Sequence, residues 1–236
     1  MSFDLSFVWI ALVQLLGVIP ITLAITVVSV VLGFIIGTAV ALLRQFRVPI
    51  LSQLATGYVT FIRGTPMITH LLLIYFGLPM IIDSVSSSLG LGFNSSSIPL
   101  IGFAYLSFSI TAGAYASEIV RSGLLAVDRG QIEAAYSLGM TATKALRRIV
   151  LPQAFAASLP NISNMLIGML HGSTLAFAVS VVEINAKAQV VASTNWKFFE
   201  AYVAAALIFW GLTIMIERLT AVAEKRFRSY NRGGVS

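Results

Sequence analysis

The chain alternates between long apolar stretches and short polar segments. No charged side chain occurs between Leu5 and Leu43, and between Ile149 and Val182 only His171 can carry a charge. Because about 20 consecutive apolar residues cross the hydrocarbon core of a bilayer, stretches of this length predict membrane-spanning helices. Five spans are predicted: Ile21–Leu43, Tyr58–Ile82, Ile98–Val120, Pro152–Leu170 and Phe199–Ile216.

Two further segments are too short or too polar to be separate spans. Ser2–Gly17 is apolar and is followed by Pro20, which interrupts a helix, so it either lies along the membrane surface or lengthens the first span. The tract from Ser173 to Asn195 is less apolar and predicts a short, tilted helix. The predicted fold class is an all-α polytopic membrane protein with a single transmembrane domain over residues 1–236.

The composition excludes a soluble domain. Charged residues make up 10% of the chain, whereas roughly a quarter of the residues in soluble domains are charged. Lys and Arg follow the first, third and fifth predicted spans, so the positive-inside rule predicts an outside N-terminus and a cytoplasmic C-terminus. The net charge of +6 is explained by this bias and by anionic membrane lipid, and no nucleic-acid partner is expected.

This topology assigns the polar segments to two sides of the membrane. Residues 83–97 form an extracellular loop rich in serine and glycine, residues 121–151 form the largest cytoplasmic loop, and residues 217–236 form a basic cytoplasmic tail. With two histidines and no cysteine, the chain carries no pattern typical of a metal site, and neither a metal nor a cofactor is expected on it.

The large cytoplasmic loop predicts a helix, a glycine turn and a second helix. Asp128 is a good N-cap, and Gln131 three residues later would complete a capping box. Gly139 would end the helix because glycine accepts a positive φ at the C′ position. Helical spacing places Glu133 away from the face that contains Ala135. An exposed acidic residue on a helix at the membrane surface indicates a docking site for another protein.

Four motifs then carry a resemblance to a known family. Glu133-Ala134-Ala135, Gly139, Ile149 and Leu151-Pro152 have the spacing of the EAA loop of ABC-importer permeases; the other three are Arg63-Gly64-Thr65-Pro66 with Ile74 to Pro79, Ala116 to Gly123, and Ser180 to Ile184. In this order they resemble the permeases for polar amino acids of the histidine, glutamine, arginine and cystine type.

The resemblance implies a type I ABC importer permease in a bacterial plasma membrane. Such a permease pairs with itself or with a paralogue, and two cytoplasmic ATPase subunits, which hold ATP and Mg, bind its EAA loops. A solute-binding protein outside the membrane delivers a polar amino acid, and cystine is one candidate for it. The residues implied in ATPase coupling are Glu133, Ala134, Ala135 and Gly139. Because the chain lacks a G-x-x-x-x-G-K-[ST] phosphate loop, it is not expected to be an enzyme.

Polar residues in or near the spans are candidates for the substrate pathway, because ionisable groups in a membrane are costly. The candidates are Arg63, His70, His171, Ser173, Thr174 and Glu183. Several have structural alternatives. Arg63 could snorkel to the membrane surface, His70 could hydrogen-bond a neighbouring helix, and His171 could sit in a helix-end turn. Glu183 fits a structural or gating role better than substrate contact.

Glu118 and Arg121 are three residues apart on one predicted helix and are expected to form a structural ion pair.

Two alternative functions would require different features in the sequence. An ion-coupled secondary amino-acid transporter would carry more acidic residues in its spans and inverted repeats. A membrane enzyme would need a catalytic set such as H-E-x-x-H, which the chain lacks.

Overall fold

The computed structural model describes residues 3–231, so the last residues of the predicted tail, 232–236, and Met1 and Ser2 lie outside the described part. Within it the regular structure is helical. The helices are α1 (Leu5–Leu16), α2 (Ile19–Gln45), α3 (Leu51–Gly64), α4 (Met67–Leu89), α5 (Leu100–Leu125), α6 (Arg129–Ser137), α7 (Ala142–Ala145), α8 (Leu151–Gly172), α9 (Ile184–Ser193) and α10 (Phe198–Asn231). A π-helical turn, Leu146–Val150, joins α7 to α8, and a 3-10 helix, Ser173–Val179, follows α8.

Among residues 3–231, five helical segments are long and apolar enough to cross a membrane, which confirms the predicted number of spans. They are Ile19–Gln45, Met67–Leu89, Leu100–Leu125, Ala142–Val179 and Phe198–Phe227. The fourth extends beyond the predicted Pro152–Leu170 at both ends, because the π-helical turn and the 3-10 helix continue α8 without a break. The fifth continues as helix into the predicted basic tail, as far as Asn231.

The second predicted span, Tyr58–Ile82, is wrong as a single helix. The backbone is extended at Thr65 and Pro66, so α3 ends at Gly64 and α4 begins at Met67. Proline lacks the N–H that a helix interior needs, and its ring disfavours the helical conformation of the preceding residue. Apolar residues on both sides of this break make two helices look like one in a hydropathy pattern.

Glycines on α2 allow its backbone to lie directly against α5. A Cβ added at Gly33 would come within 2.5 Å of the Cβ of Ala112, and one at Gly37 within 2.6 Å of the Cβ of Ala116. Small residues four apart are typical of close helix packing in membranes. The G-x-x-x-G spacing in the sequence is therefore the contact face of α2.

The N-terminal helix α1 belongs to the bundle. Phe7, Ala11 and Leu15 are buried together with α9 and with Ala201 and Ala204 of α10. Neither predicted alternative for Ser2–Gly17 describes this arrangement, because α1 is a separate helix that packs against protein. The expected short helix in the tract from Ser173 to Asn195 is confirmed as α9.

An ion pair fastens the start of α1 to the start of α10. The Lys197 ammonium donates to the Asp4 carboxylate, and this hydrogen bond holds the pKa of Asp4 well below its usual range. The Asp4 backbone N–H donates to Glu200 Oε1 at 3.2 Å. The start of α1 is therefore linked to the start of α10, about 190 residues later in the chain.

Candidate functional site

A cavity of about 570 Å³ lies between the end of α3, the start of α4, α5 and α8. Its polar lining consists of Arg63, Thr65, Thr111, Tyr115, Glu118, Ser122, Asn161 and Asn164. The rest of the lining includes two isoleucines, three methionines and Gly168. A mostly apolar wall with a few polar groups of defined position is the usual form of a small-molecule site.

Arg63 occupies the last turn of α3, at the break before α4. Its guanidinium lies 5.8 Å from the centre of the Tyr115 ring, and Tyr115 is in the middle part of α5. Arg63 is absent from the ion pairs formed among residues 3–231. The exposed Arg63 side chain therefore lines the cavity beside the Tyr115 ring, with its charge available to a ligand there.

Glu118 is held between two arginines. Its Oε2 accepts from Arg121 Nη2 at 2.7 Å, which is the ion pair expected from the sequence, and its Oε1 accepts from Arg44 on α2. Arg44 lies 74 residues from Glu118 in the chain, so no local pattern in the sequence indicates this contact. Since both carboxylate oxygens are engaged by cations, Glu118 adds no free negative charge to the cavity.

His70 is buried behind the cavity wall. Its Nε2 lies 2.6 Å from Thr65 Oγ1, and its Nδ1 lies 3.2 Å from Thr111 Oγ1. Thr65 and Thr111 line the cavity, whereas His70 does not. Of the two alternatives for His70, the structure therefore has the hydrogen bond to a neighbouring helix, and the histidine fixes two hydroxyl groups of the lining.

The lining of this cavity contains none of His171, Ser173 and Thr174, so their place in a substrate pathway stays a prediction. His171 Nε2 contacts Thr213 Oγ1 on α10 at 3.2 Å. The hydroxyls of Ser173 and Thr174 donate to the carbonyls of Leu170 and His171 in the preceding turn.

Helical periodicity explains why His171 lies off the face of α8 that lines the cavity. The α8 residues that line the cavity are Asn161, Asn164, Met165, Gly168 and Met169. The next position on this face is Gly172, where a Cβ would lie 2.9 Å from the Met67 side chain at the start of α4. His171, the residue before Gly172, therefore turns toward α10. No break separates α8 from the 3-10 helix at this point.

The asparagines of α8 were missed at the sequence level. Asn161 and Asn164 are three residues apart in an apolar span, which puts them on one face of the helix. Polar side chains in a span avoid lipid, and both asparagines, which are exposed in the single chain, line the cavity. The three-residue spacing of the two asparagines in an apolar span was the signal in the sequence that could have identified them. In the structure they line the same cavity as Arg63.

Glu183 is fully buried at the start of α9 and is not in the cavity lining. Its carboxylate accepts from the backbone N–H groups of Asn185 and Ala186, both at 2.8 Å, and so caps α9. Burial raises the pKa of Glu183 to about 7 despite these two donors. This geometry is that of a structural cap, in line with the structural role preferred for Glu183 over substrate contact.

The segment between α5 and α8 has the predicted helix, glycine turn and helix. Asp128 Oδ1 accepts from the Gly130 N–H at 2.6 Å and caps α6. Within residues 3–231 no hydrogen bond of the Gln131 side chain completes the expected capping box. Gly139 has φ +73°, and the bonds Gly139 N–H to Tyr136 O and Met140 N–H to Ala135 O form a Schellman motif.

The two faces of α6 have different environments. Ala135 is buried, and Ile132 packs against Val127, Val150 and Ala154. Glu133 and Ala134 are exposed on the other side. The EAA residues therefore divide into an internal contact, Ala135, and an outward surface that can meet another protein. Of the four residues implied in ATPase coupling, only Ala135 is therefore buried inside the permease, and the coupling role of the four stays a prediction.

Comparisons with known proteins find relatives over most of the chain. Residues 29–229 match the family described as "Binding-protein-dependent transport system inner membrane component". The chain is 38% identical to a probable amino-acid ABC transporter permease, PatM, of Vibrio harveyi, over 96% of this chain and 97% of that protein. It is 34% identical to the L-cystine transport system permease TcyL of Bacillus subtilis, over 96% of this chain and 92% of that protein.

Solved structures show the same arrangement of helices. A crystal structure of an amino acid ABC transporter with histidines aligns with a TM-score of 0.81 and 31% identity, covering 96% of this chain and all of that one. The methionine transporter MetNI in an inward-facing conformation aligns with a TM-score of 0.71 at 20% identity, over 95% of this chain and 99% of that chain, which is a likeness of fold.

The chain therefore belongs to the family of binding-protein-dependent transport system inner membrane components. It is a multi-pass inner-membrane subunit of the ABC permease type, which is a transport subunit and not an enzyme in its own right. Membership also decides against the alternative of an ion-coupled secondary transporter.

Proposed function

We propose that this chain forms the membrane passage for a polar amino acid with no net charge in an ATP-driven importer. The observation that carries the proposal is the cavity whose lining combines Arg63 with two asparagines. Relatives along the whole chain include a probable amino-acid permease and an L-cystine permease. Cystine is accordingly among the candidate substrates.

Arg63 is the binding partner for the substrate carboxylate. A guanidinium holds a carboxylate through two parallel hydrogen bonds, and here no acidic side chain among residues 3–231 competes for it in an ion pair. Met67, the first residue of α4, also lines the cavity, and the α4 N-cap Pro66 provides no side-chain hydrogen bond to the helix end. The positive end of α4 supports the same negative group.

Neutral oxygens receive the rest of the substrate. The Asn161 and Asn164 carbonyls and the Thr111 hydroxyl can accept from an ammonium group, and the asparagine amides can also donate to a polar side chain. Glu118 is neutralised by Arg44 and Arg121. A cationic side chain would find no free carboxylate in this lining, so a substrate without net charge fits better than arginine or lysine.

The outward surface of α6 is the coupling site. Glu133, Ala134 and Gly139 present an acidic group, a small residue and a fixed turn to an ATPase subunit, while Ala135 anchors α6 to the permease. ATP and Mg would be held by two such subunits, with α6 transmitting their closure as a rigid-body movement.

The remaining assignments complete the transporter. A second permease, either a copy or a paralogue, forms the other half of the passage, and a solute-binding protein delivers the substrate from outside. The N-terminus is outside and the C-terminus cytoplasmic, because basic residues cluster at the ends of α2 and α5 and in the last part of α10.

Uptake by vesicles tests this function. The chain is reconstituted with its ATPase and binding protein, and ATP-dependent uptake of labelled cystine, glutamine and arginine is compared. Arg63→Gln should raise KM at least tenfold, since losing one charge-assisted contact costs about 2 kcal/mol. Arg218→Gln, the same charge change at an exposed position of α10, is the control. Preferred uptake of arginine, or equal KM for both variants, would contradict the proposal.

A further inference from the structure

A second cavity, of about 500 Å³, lies where α2 ends and α3 begins. It is lined by Arg44, Gln45, Ser52, Gln53, Thr56 and Arg121, all of them polar or charged. Arg121 is in the last turns of α5, which leads into α6, so the pocket opens at the same end of the bundle as the outward surface of α6. Its position at the ends of two spans puts it at the level of the lipid headgroups.

The pocket has an uncompensated positive charge. Arg44 and Arg121 share a single carboxylate, Glu118, which lines the larger cavity and not this one. Two guanidiniums against one carboxylate leave a net charge of about +1, and each guanidinium has five N–H donors, more than its contact with Glu118 occupies. The amides of Gln45 and Gln53 add neutral donors. This is the donor chemistry that binds a phosphate group.

Exposed apolar side chains adjoin the basic pocket. Phe46 and Ile50, in the turn between α2 and α3, are 73% and 71% exposed. Leu51 and Leu54 on the first turns of α3 are exposed as well, while Ala55, Val59 and Ile62 are buried. Large apolar groups next to a phosphate-binding pocket match a ligand that has both a charged headgroup and hydrocarbon chains. A free phosphate ion would contact only the pocket and not these apolar groups.

We propose that this pocket binds the phosphate of an anionic phospholipid of the adjoining leaflet. The headgroup sits on Arg44 and Arg121, and the acyl chains run from there toward the bilayer centre along Leu54 of α3, while Phe46 and Ile50 flank the headgroup from the turn. Basic pockets between spans at the cytoplasmic side are suited to such lipids. The assignment is independent of the substrate proposed for the larger cavity.

Lipid binding to the purified full-length chain tests the proposal. Native mass spectrometry compares phosphatidylglycerol with phosphatidylcholine of the same acyl chains. Gln53→Glu and Gln45→Glu, on different helices, each place a negative charge in the pocket without changing side-chain shape or removing an arginine. Gln189→Glu makes the same change at an exposed position of α9 and is the matched control.

Phosphatidylglycerol should bind more tightly than phosphatidylcholine, and each pocket variant should weaken its binding about fivefold. Gln189→Glu should leave binding unchanged. Equal phosphatidylglycerol affinity in the pocket variants and the control would overturn the site. Displacement of the lipid by millimolar inorganic phosphate would show that the pocket takes a free oxyanion, which would overturn the lipid assignment. If one pocket variant fails to fold, the other decides.

Discussion

The contact between α2 and α5 makes Gly37 the most informative position for stability. In Gly37→Ala, the new methyl would lie 2.6 Å from the Ala116 Cβ, and 2.7 Å from both the Gly113 carbonyl oxygen and the Ser117 nitrogen. Two of these three are backbone atoms, so no side-chain rotation relieves the overlap. The two helices must separate by roughly 1 Å, which loses packing along the whole contact.

Overpacking of this kind costs about 2 kcal/mol. For a chain of this size, that corresponds to a fall in Tm of about 5 °C. The assay is thermal unfolding of the purified chain in detergent, followed by circular dichroism. Gly57→Ala, inside α3, is the matched control, because a Cβ there meets no atom within 4 Å.

The control should keep or slightly raise the Tm, since alanine favours a helix over glycine by about 1 kcal/mol. The difference between the two variants is the measured quantity, because both make the same chemical change in a helix. A Gly37→Ala protein as stable as the Gly57→Ala protein would refute the close contact of α2 and α5.

Three further outcomes follow from single residues. Glu133→Ala should leave the Tm unchanged, because the side chain is exposed, and weaken ATPase binding by about 2 kcal/mol, a rise of about 30-fold in Kd by titration; an unchanged Kd would argue against the coupling site. Gly139→Val should lower the Tm through backbone strain of about 1–2 kcal/mol at φ +73°, because the space around the glycine is open, and Gly139→Asn should cost less; equal Tm values would contradict this. The folded pKa of Glu183, about 7, exceeds its ordinary 4.5, so the folded chain binds more protons between these values and its stability falls as pH rises through that window. The Tm should be higher at about pH 5 than above pH 7, and Glu183→Gln should remove the difference.

The number of spans was predictable because hydropathy is a local property. The uncharged run from Leu5 to Leu43 is long enough by itself to require a membrane. Hydropathy does not reveal the helix break at Thr65 and Pro66, because backbone geometry causes this break and the flanking residues are apolar. The turn at Gly139 was predicted correctly, because a glycine at the C′ position of a helix is also a local signal.

The site was less predictable because it depends on contacts between distant segments. Nothing near Glu118 in the chain indicates Arg44, which reaches it from another helix. His171 attracted attention as an ionisable residue, yet its position on α8 turns it toward α10. The asparagines of α8 carry no charge, and only their shared face with Gly168 shows that they belong to the cavity.

The most direct test of the account is a structure of the assembled transporter with a bound amino acid. The account predicts the substrate carboxylate within about 3 Å of the Arg63 guanidinium, with the Asn161 and Asn164 side chains on its other end. An amino acid bound instead beside His171 and Thr213, with Arg63 free of it, would contradict the central assignment.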